Sequence, residues 1–201
     1  ATSDTFIERL RSLRREMNTN QISGFMVPLA DEHQGEYVAK NAQRLAWLTG
    51  FTGSAGMAII QRNKAVIFVD GRYTLQAKQQ VNQDFFQISN LNNKSIDNWI
   101  SESLTPGETL GFDPWLHTSD AIVRIRKNTD KMGIKLVATA TNPIDAVWLN
   151  RPEPPLTPVI LMEHIVTGKT SSEKRIQIAK ILKQEKITSC VLTAPDSIAW
   201  L

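Results

Sequence analysis

Arg44-Leu45-Ala46-Trp47-Leu48-Thr49-Gly50-Phe51-Thr52-Gly53-Ser54-Ala55-Gly56 leads into two apolar, β-prone runs, Ala55–Ile60 and Ala65–Val69, and these end at Asp70-Gly71-Arg72-Tyr73. Asn41 to Leu48 reads as a short helix. Gly50 stops it, because glycine adopts the left-handed conformation that closes a helix. The apolar runs are joined by Gln61-Arg62-Asn63-Lys64, which makes them a hairpin. The order is helix, glycine-punctuated turn, hairpin, then a second turn carrying a cation. A phosphate-binding loop needs the reverse, a strand before the glycines and a helix after them, so that a helix N-terminus faces the phosphate. Gly50, Gly53 and Gly56 therefore read as turn and close-packing residues.

On either side of this segment the pattern alternates. Phe6, Leu10, Leu13 and Met17 recur at helical spacing behind a capping box from Thr5 to Glu8, which predicts a helix over 4–18. Ile22 to Leu29 reads as a buried strand. Tyr73–Val81 predicts a helix and Phe85–Ile88 a strand. Ser95 is expected to cap a helix bearing Ile96, Trp99, Ile100 and Leu104. Thr109–Phe112 predicts a strand. Thr118 or Ser119 opens a helix stopped by Gly133, and Ile134–Ala138 predicts a further strand. Asn142-Pro143 supplies an N-cap and an N1 proline. Alternation with one hairpin inserted argues an α/β fold, a mixed β-sheet covered by helices, over residues 1–150.

Arg151-Pro152-Glu153-Pro154-Pro155-Leu156-Thr157-Pro158 holds four of the nine prolines. Proline removes a backbone donor and favours an extended chain, so 151–158 reads as a linker. After it the pattern restarts over 159–201, with an expected strand Val159–Met162, a capping box Thr170–Glu173, a helix to about Glu185, an expected strand Ile187–Leu192 and a helix opened by Pro195-Asp196. Trp200-Leu201 falls in the first turn of that helix, which reads as a second, similar α/β domain cut short.

Composition narrows the chemistry. There are 201 residues, 41% hydrophobic and 21% charged, with net charge +3. These values suit a folded core. The basic residues are not one block: Arg9, Arg11, Arg14 and Arg15 share a helix with Glu8 and Glu16, the pattern of a solvated face. A weakly basic nucleic-acid-binding module is the resulting alternative, and no nucleic-acid partner is the expectation. No run approaches the ~18 apolar residues of a membrane span, so no membrane partner is expected. The single cysteine, Cys190, rules out an internal disulfide and lies in an apolar run that predicts a buried thiol. With no secretory apolar region visible, a cytoplasmic protein is expected.

Few residues suggest catalysis. His33, His117 and His164 lack the spacing of a helical zinc site, no Gly-x-Ser-x-Gly occurs, and Gly168-Lys169-Thr170 lacks the earlier glycine of a phosphate loop. Asp70 and Asp113 each follow a β-run, and two such carboxylates holding Mg²⁺ would give a small nuclease-like domain. Before Gly71 and Pro114 they also read as turn residues. Arg72 carries a planar, always charged guanidinium beside Tyr73 and Phe51. It reads either as part of a recognition patch or as a brace to Asp70.

Leu45–Gly56, Asp70-Gly71-Arg72-Tyr73 with Gln76-Ala77, Gly111-Phe112-Asp113-Pro114, Trp148 with Arg151-Pro152, and Ile198-Ala199-Trp200-Leu201 together resemble the N-terminal region of the creatinase/aminopeptidase P family, in its three-domain Xaa-Pro aminopeptidases. The resemblance implies a non-catalytic part of a metallopeptidase that removes the N-terminal residue preceding proline. In the family a further C-terminal domain carries two divalent metals, usually Mn²⁺, on Asp, Asp, His, Glu and Glu, and none of those ligand motifs occurs here. No catalytic or metal residue and no cofactor is therefore expected in this chain. Its implied partners are that catalytic domain, peptides with proline in second position, and a second copy in a homodimer. Its implied roles are gating the active site, limiting substrate length and supporting assembly, with Phe51 and Arg72 as the substrate-binding candidates.

Overall fold

The computed structural model describes residues 3–201. It divides into two compact units: the first runs to Pro154 apart from the loop His33–Gly35, which groups with Pro155–Leu201 in the second.

In the first unit the elements are α1 (Ser3–Thr19), β1 (Gly24–Pro28), α2 (Arg44–Thr49), β2 (Gly56–Gln61), β3 (Ala65–Val69), α3 (Thr74–Gln80), β4 (Gln87–Asn90), α4 (Asn93–Ser103), β5 (Thr109–Phe112), α5 (Ser119–Lys131), β6 (Lys135–Ala138) and α6 (Pro143–Val147). The strands form one sheet in the order β4-β3-β2-β1-β5-β6. β2 is antiparallel to both β1 and β3, while β1–β5, β5–β6 and β3–β4 pair in parallel. Five strands thus share one direction and β2 opposes them, the mixed α/β sheet the sequence pattern predicts.

The apolar runs are continuous because both faces of the sheet are covered. Successive strand residues point to opposite faces. Phe25, Val27, Ala58, Ile60, Ile67 and Val69 pack with Leu10, Leu13, Leu45 and Ile144 of α1, α2 and α6. Met26, Met57, Ile59, Val66 and Phe68 pack with Ile96, Trp99, Ile100 and Ile125 of α4 and α5. Gly50 closes α2 at φ +81°, its N–H donating to the Ala46 carbonyl at 2.9 Å. The arginines of α1 are spent locally. Arg9 Nη1 donates to the Trp47 carbonyl at 2.6 Å and Arg14 Nε to that of Gln61 at 2.9 Å, and Arg11 pairs with Glu8.

Some local expectations shift. Thr5 lies inside α1 rather than before it. Asn92, not Ser95, caps α4, its side chain accepting the Ser95 N–H at 2.8 Å. An extended asparagine just before a helix competes for the free amides of its first turn as well as a serine does. β4 lies two residues beyond the expected Phe85–Ile88, because Phe86 turns into the core.

The second unit contains α7 (His164–Thr167), α8 (Ser171–Gln184) and α9 (Pro195–Trp200). The Thr170–Glu173 capping box is complete. Residues 151–163 carry no regular element. Neither Val159–Met162 nor Ile187–Leu192 forms a strand among the described residues. A strand exists only through a neighbour's ladder, and no partner strand lies beside either run. Cys190 is exposed, contrary to the buried thiol its apolar surroundings suggest, for the same reason.

Candidate functional site

The parallel strands deliver their C-terminal ends to one edge of the sheet, where α/β proteins place functional groups. At that edge β3 ends in Asp70, which caps a short 3₁₀ turn, Gly71–Tyr73. The Asp70 carboxylate accepts from the Arg72 backbone N–H at 3.0 Å and from Arg72 Nε at 2.9 Å. The backbone hydrogen bond first, and the guanidinium with it, hold Asp70 below the usual carboxylate range. Arg72 is raised, first by its side-chain hydrogen bond to Asp70. The arginine side chain remains 70% exposed.

Its neighbours are stiffly held. The Arg72 guanidinium lies 5.4 Å from the Tyr73 ring centre. Tyr73 meets Phe51 edge-on at 5.8 Å, and its hydroxyl is 2.6 Å from Ser54 Oγ. That hydrogen bond pulls the Tyr73 phenol below its ordinary range. Thr52 completes the rim. Its N–H donates to Gln80 Oε1, and its hydroxyl accepts from Gln76 and Gln80. Phe51 is fully buried, so Tyr73 stands between the two candidate residues. The brace that the turn reading expects is present, and it leaves the outer guanidinium nitrogens facing solvent.

The paired-carboxylate alternative fails on topology. β3 and β5 are separated by β2 and β1. Three strand spacings of ~4.8 Å put Asp70 and Asp113 roughly 14 Å apart at the sheet edge, too far to share one ion. Asp113 is a turn residue. It accepts from the Trp115 N–H at 2.9 Å and from Asn142 Nδ2 at 2.8 Å. Among the described residues no group of three His, Cys, Asp or Glu side chains could hold a metal. His117 packs edge-on against Phe112, and burial pulls its imidazole down to about 4 despite nearby Asp113. No helix in the described residues is long and apolar enough to cross a membrane.

One cluster escaped the sequence reading. Asp145 receives Arg44 in a two-pronged contact, Nε at 2.7 Å and Nη2 at 2.8 Å, and Arg151 Nη1 at 2.7 Å. Arg151 Nε also donates to the Asn41 carbonyl. These contacts lock α2, α6 and the start of the proline-rich segment together. The only sequence signal was Trp148 with Arg151-Pro152, which marks the place without naming the partners, 101 positions apart for Arg44 and Asp145 and 110 for Arg151 and Asn41.

A family model described as the Creatinase/Prolidase N-terminal domain matches residues 9–147, and a second of the same description matches 150–201. The chain belongs to the creatinase/prolidase N-terminal domain family. It is 32% identical over 195 residues to aminopeptidase P1 of Lotus japonicus, covering 97% of this chain and 30% of that protein. It is 33% identical to Xaa-Pro aminopeptidase 2 of Rattus norvegicus, covering 96% and 29%. The chain thus spans under a third of the length of these curated relatives. Among solved structures, the X-prolyl aminopeptidase of Caenorhabditis elegans, described as a cytosolic enzyme with a di-nuclear active site, superposes with TM-score 0.84 at 28% identity, over 98% of this chain and 34% of that one. The N-terminal domain of PepQ from Mycobacterium tuberculosis shares the fold at TM-score 0.55 and 20% identity, over 70% of this chain and 98% of that one. The creatinase/prolidase domain reading covers both units.

Proposed function

We propose that this chain is the N-terminal, non-catalytic part of a metal-dependent Xaa-Pro aminopeptidase, which removes the residue preceding a proline. The observation that supports it most is likeness along nearly the whole chain, both units included, to enzymes of that activity. Two divalent metals, manganese in this reading, belong to a catalytic domain beyond these residues. Among the described residues no donor set fits them, and this reading assigns no chemical step to the chain. Its work is to cover the active-site mouth, limit peptide length and support a cytoplasmic homodimer.

Within that role Arg72 holds a substrate carboxylate or carbonyl, and buried Phe51 backs the loop that carries it. A planar fork suits such a group, and Asp70 pre-orients it without consuming its outer nitrogens. The test uses the full-length enzyme with Xaa-Pro di- and tripeptides. Arg72→Lys is expected to lower kcat/KM, because lysine lacks the fork, and Arg72→Ala to lower it about ten- to a hundredfold. Equal kcat/KM for wild type and Arg72→Ala removes the substrate role. An enzyme that spares Xaa-Pro bonds removes the whole reading.

A further inference from the structure

Thr5, Glu8, Arg9, Leu13 and Met17 of the first unit match Thr170, Glu173, Lys174, Ile178 and Leu182 of the second at one constant spacing, and Leu45-Ala46-Trp47-Leu48 matches Ile198-Ala199-Trp200-Leu201. The geometry repeats with the sequence. Helix α1 ends through Gln21 at φ +55°, whose N–H donates to the Asn18 carbonyl while the Ile22 N–H donates to that of Met17. Helix α8 ends through Lys186 at φ +57°, whose N–H donates to the Lys183 carbonyl while the Ile187 N–H donates to that of Leu182. Arg9 Nη1 donates to the Trp47 carbonyl at 2.6 Å, and its guanidinium lies 4.9 Å from the Trp47 ring centre. Lys174 Nζ donates to the Trp200 carbonyl at 2.6 Å and lies 4.7 Å from the Trp200 ring centre. In each unit a cation held by the carbonyl and the ring of one tryptophan thus fastens the first helix to the same turn.

Continued through Ile22 and Ile187, the match sets Ser189–Thr193 over β1, with Cys190 in the place of Phe25 and Val191 in that of Met26. Phe25 and Met26 are 1% and 0% exposed, because β2 pairs with β1 and helices cover both faces. Cys190 is exposed and Val191 is 87% exposed. The run therefore has the residues of a central strand without its ladder. In the first unit the antiparallel partner β2 is the next strand after α2, reached by a short turn that costs little loop-closure entropy. The same place in the repeat lies just after α9. We propose that Ser189–Thr193 is a docking edge for a strand of the same polypeptide, the segment following Leu201, which pairs with it antiparallel and starts a second sheet. Cys190 then turns toward α8 as Phe25 turns toward α1, and Val191 faces the other side. The proposal rests on the reading above, in which these residues are part of a longer enzyme.

The experiment treats the native full-length protein with N-ethylmaleimide and follows Cys190 by peptide mass spectrometry, with hydrogen exchange measured over 187–193. Cys190 is expected to react at least about a hundredfold more slowly than in urea-unfolded protein, and the run to exchange as slowly as β1, because both then require opening of a packed sheet. Neither value should change on dilution. Reaction of Cys190 at the unfolded rate, or free exchange over 187–193, overturns the docking edge. Protection that fades on dilution gives the edge to a second copy and overturns the intramolecular occupant. A protein that protects Cys190 yet spares Xaa-Pro bonds keeps the docking edge and removes the aminopeptidase reading. Xaa-Pro cleavage with a fully reactive Cys190 does the reverse.

Discussion

Arg44–Asp145 and Arg72–Asp70 are the same two groups at nearly the same distance, 2.7 and 2.9 Å, in opposite surroundings. The Arg44 side chain is 8% exposed and closes a contact across 101 residues. The Arg72 side chain is 70% exposed and reaches two residues back. Burial strips water from Arg44, though Asp145 stays 28% exposed, so losing the carboxylate strands the arginine. Exposure leaves water ready to replace the partner, so an exposed pair adds little to stability. The same chemistry is therefore a fastening in the interior and a poised donor at the sheet edge.

The sharpest way to break that contrast is Asp145→Ala. It leaves Arg44 and Arg151 without their shared carboxylate, and the expected cost is about 3–5 kcal/mol in urea denaturation. Tryptophan fluorescence reports it, because Trp47 and Trp148 stack at 5.3 Å beside the cluster. A loss under about 1 kcal/mol would put the buried pair in the exposed class.

A half-buried ionisable group, His117, extends the comparison to pH. His117 titrates near 4 in the fold against 6.5 when unfolded. Between those values the unfolded chain binds the extra proton, so stability falls as pH drops from about 6.5 to 4, by on the order of 2–3 kcal/mol in total. His117→Phe is expected to flatten that part of a denaturation-versus-pH curve, and an unchanged slope would assign it to other groups.

How much of this was legible beforehand follows from range in sequence. The hairpin, the Gly50 stop, the Asn142 and Thr118 caps and the Thr170–Glu173 box depend on a few adjacent residues, and they stand where the sequence places them. The adjacency of β1 and β5 and the Arg44–Asp145–Arg151 cluster depend on residues more than eighty positions apart, which no local pattern encodes. Val159–Met162 and Ile187–Leu192 fail as strands for the related reason that an apolar run does not supply its own ladder partner. At the candidate site, Arg72 and its brace were readable because both lie in one turn. The pocket beside Gly53, lined by Leu29, Val38 and Ala46, was not, because those residues meet only in the folded chain.

Gly53→Ala tests the loop between these extremes. The added methyl group must displace Phe51 or Tyr73, and overpacking of this kind costs about 1–3 kcal/mol. Thermal denaturation measures it. Tolerance without loss would mean that the two rings can part, and the rigid rim assigned to Thr52–Ser54 would fall with them.

Arg72→Ala is expected to have the smallest effect on folding. The turn keeps its main features without the guanidinium: Asp70 still accepts the backbone N–H of residue 72, and the Tyr73 N–H still donates to the Asp70 carbonyl at 2.8 Å. Tyr73 remains against Phe51 and Ser54. What disappears is an ion pair in water, screened by salt and offset by the side-chain entropy of holding a long arginine still. The melting temperature should match wild type, and raising the salt should move both proteins alike. A clear drop for Arg72→Ala, absent at high salt, would show the exposed pair acting as a structural fastening. Its resemblance to Arg44–Asp145 would then extend to energetics, and the case for Arg72 as a free donor to substrate would be lost.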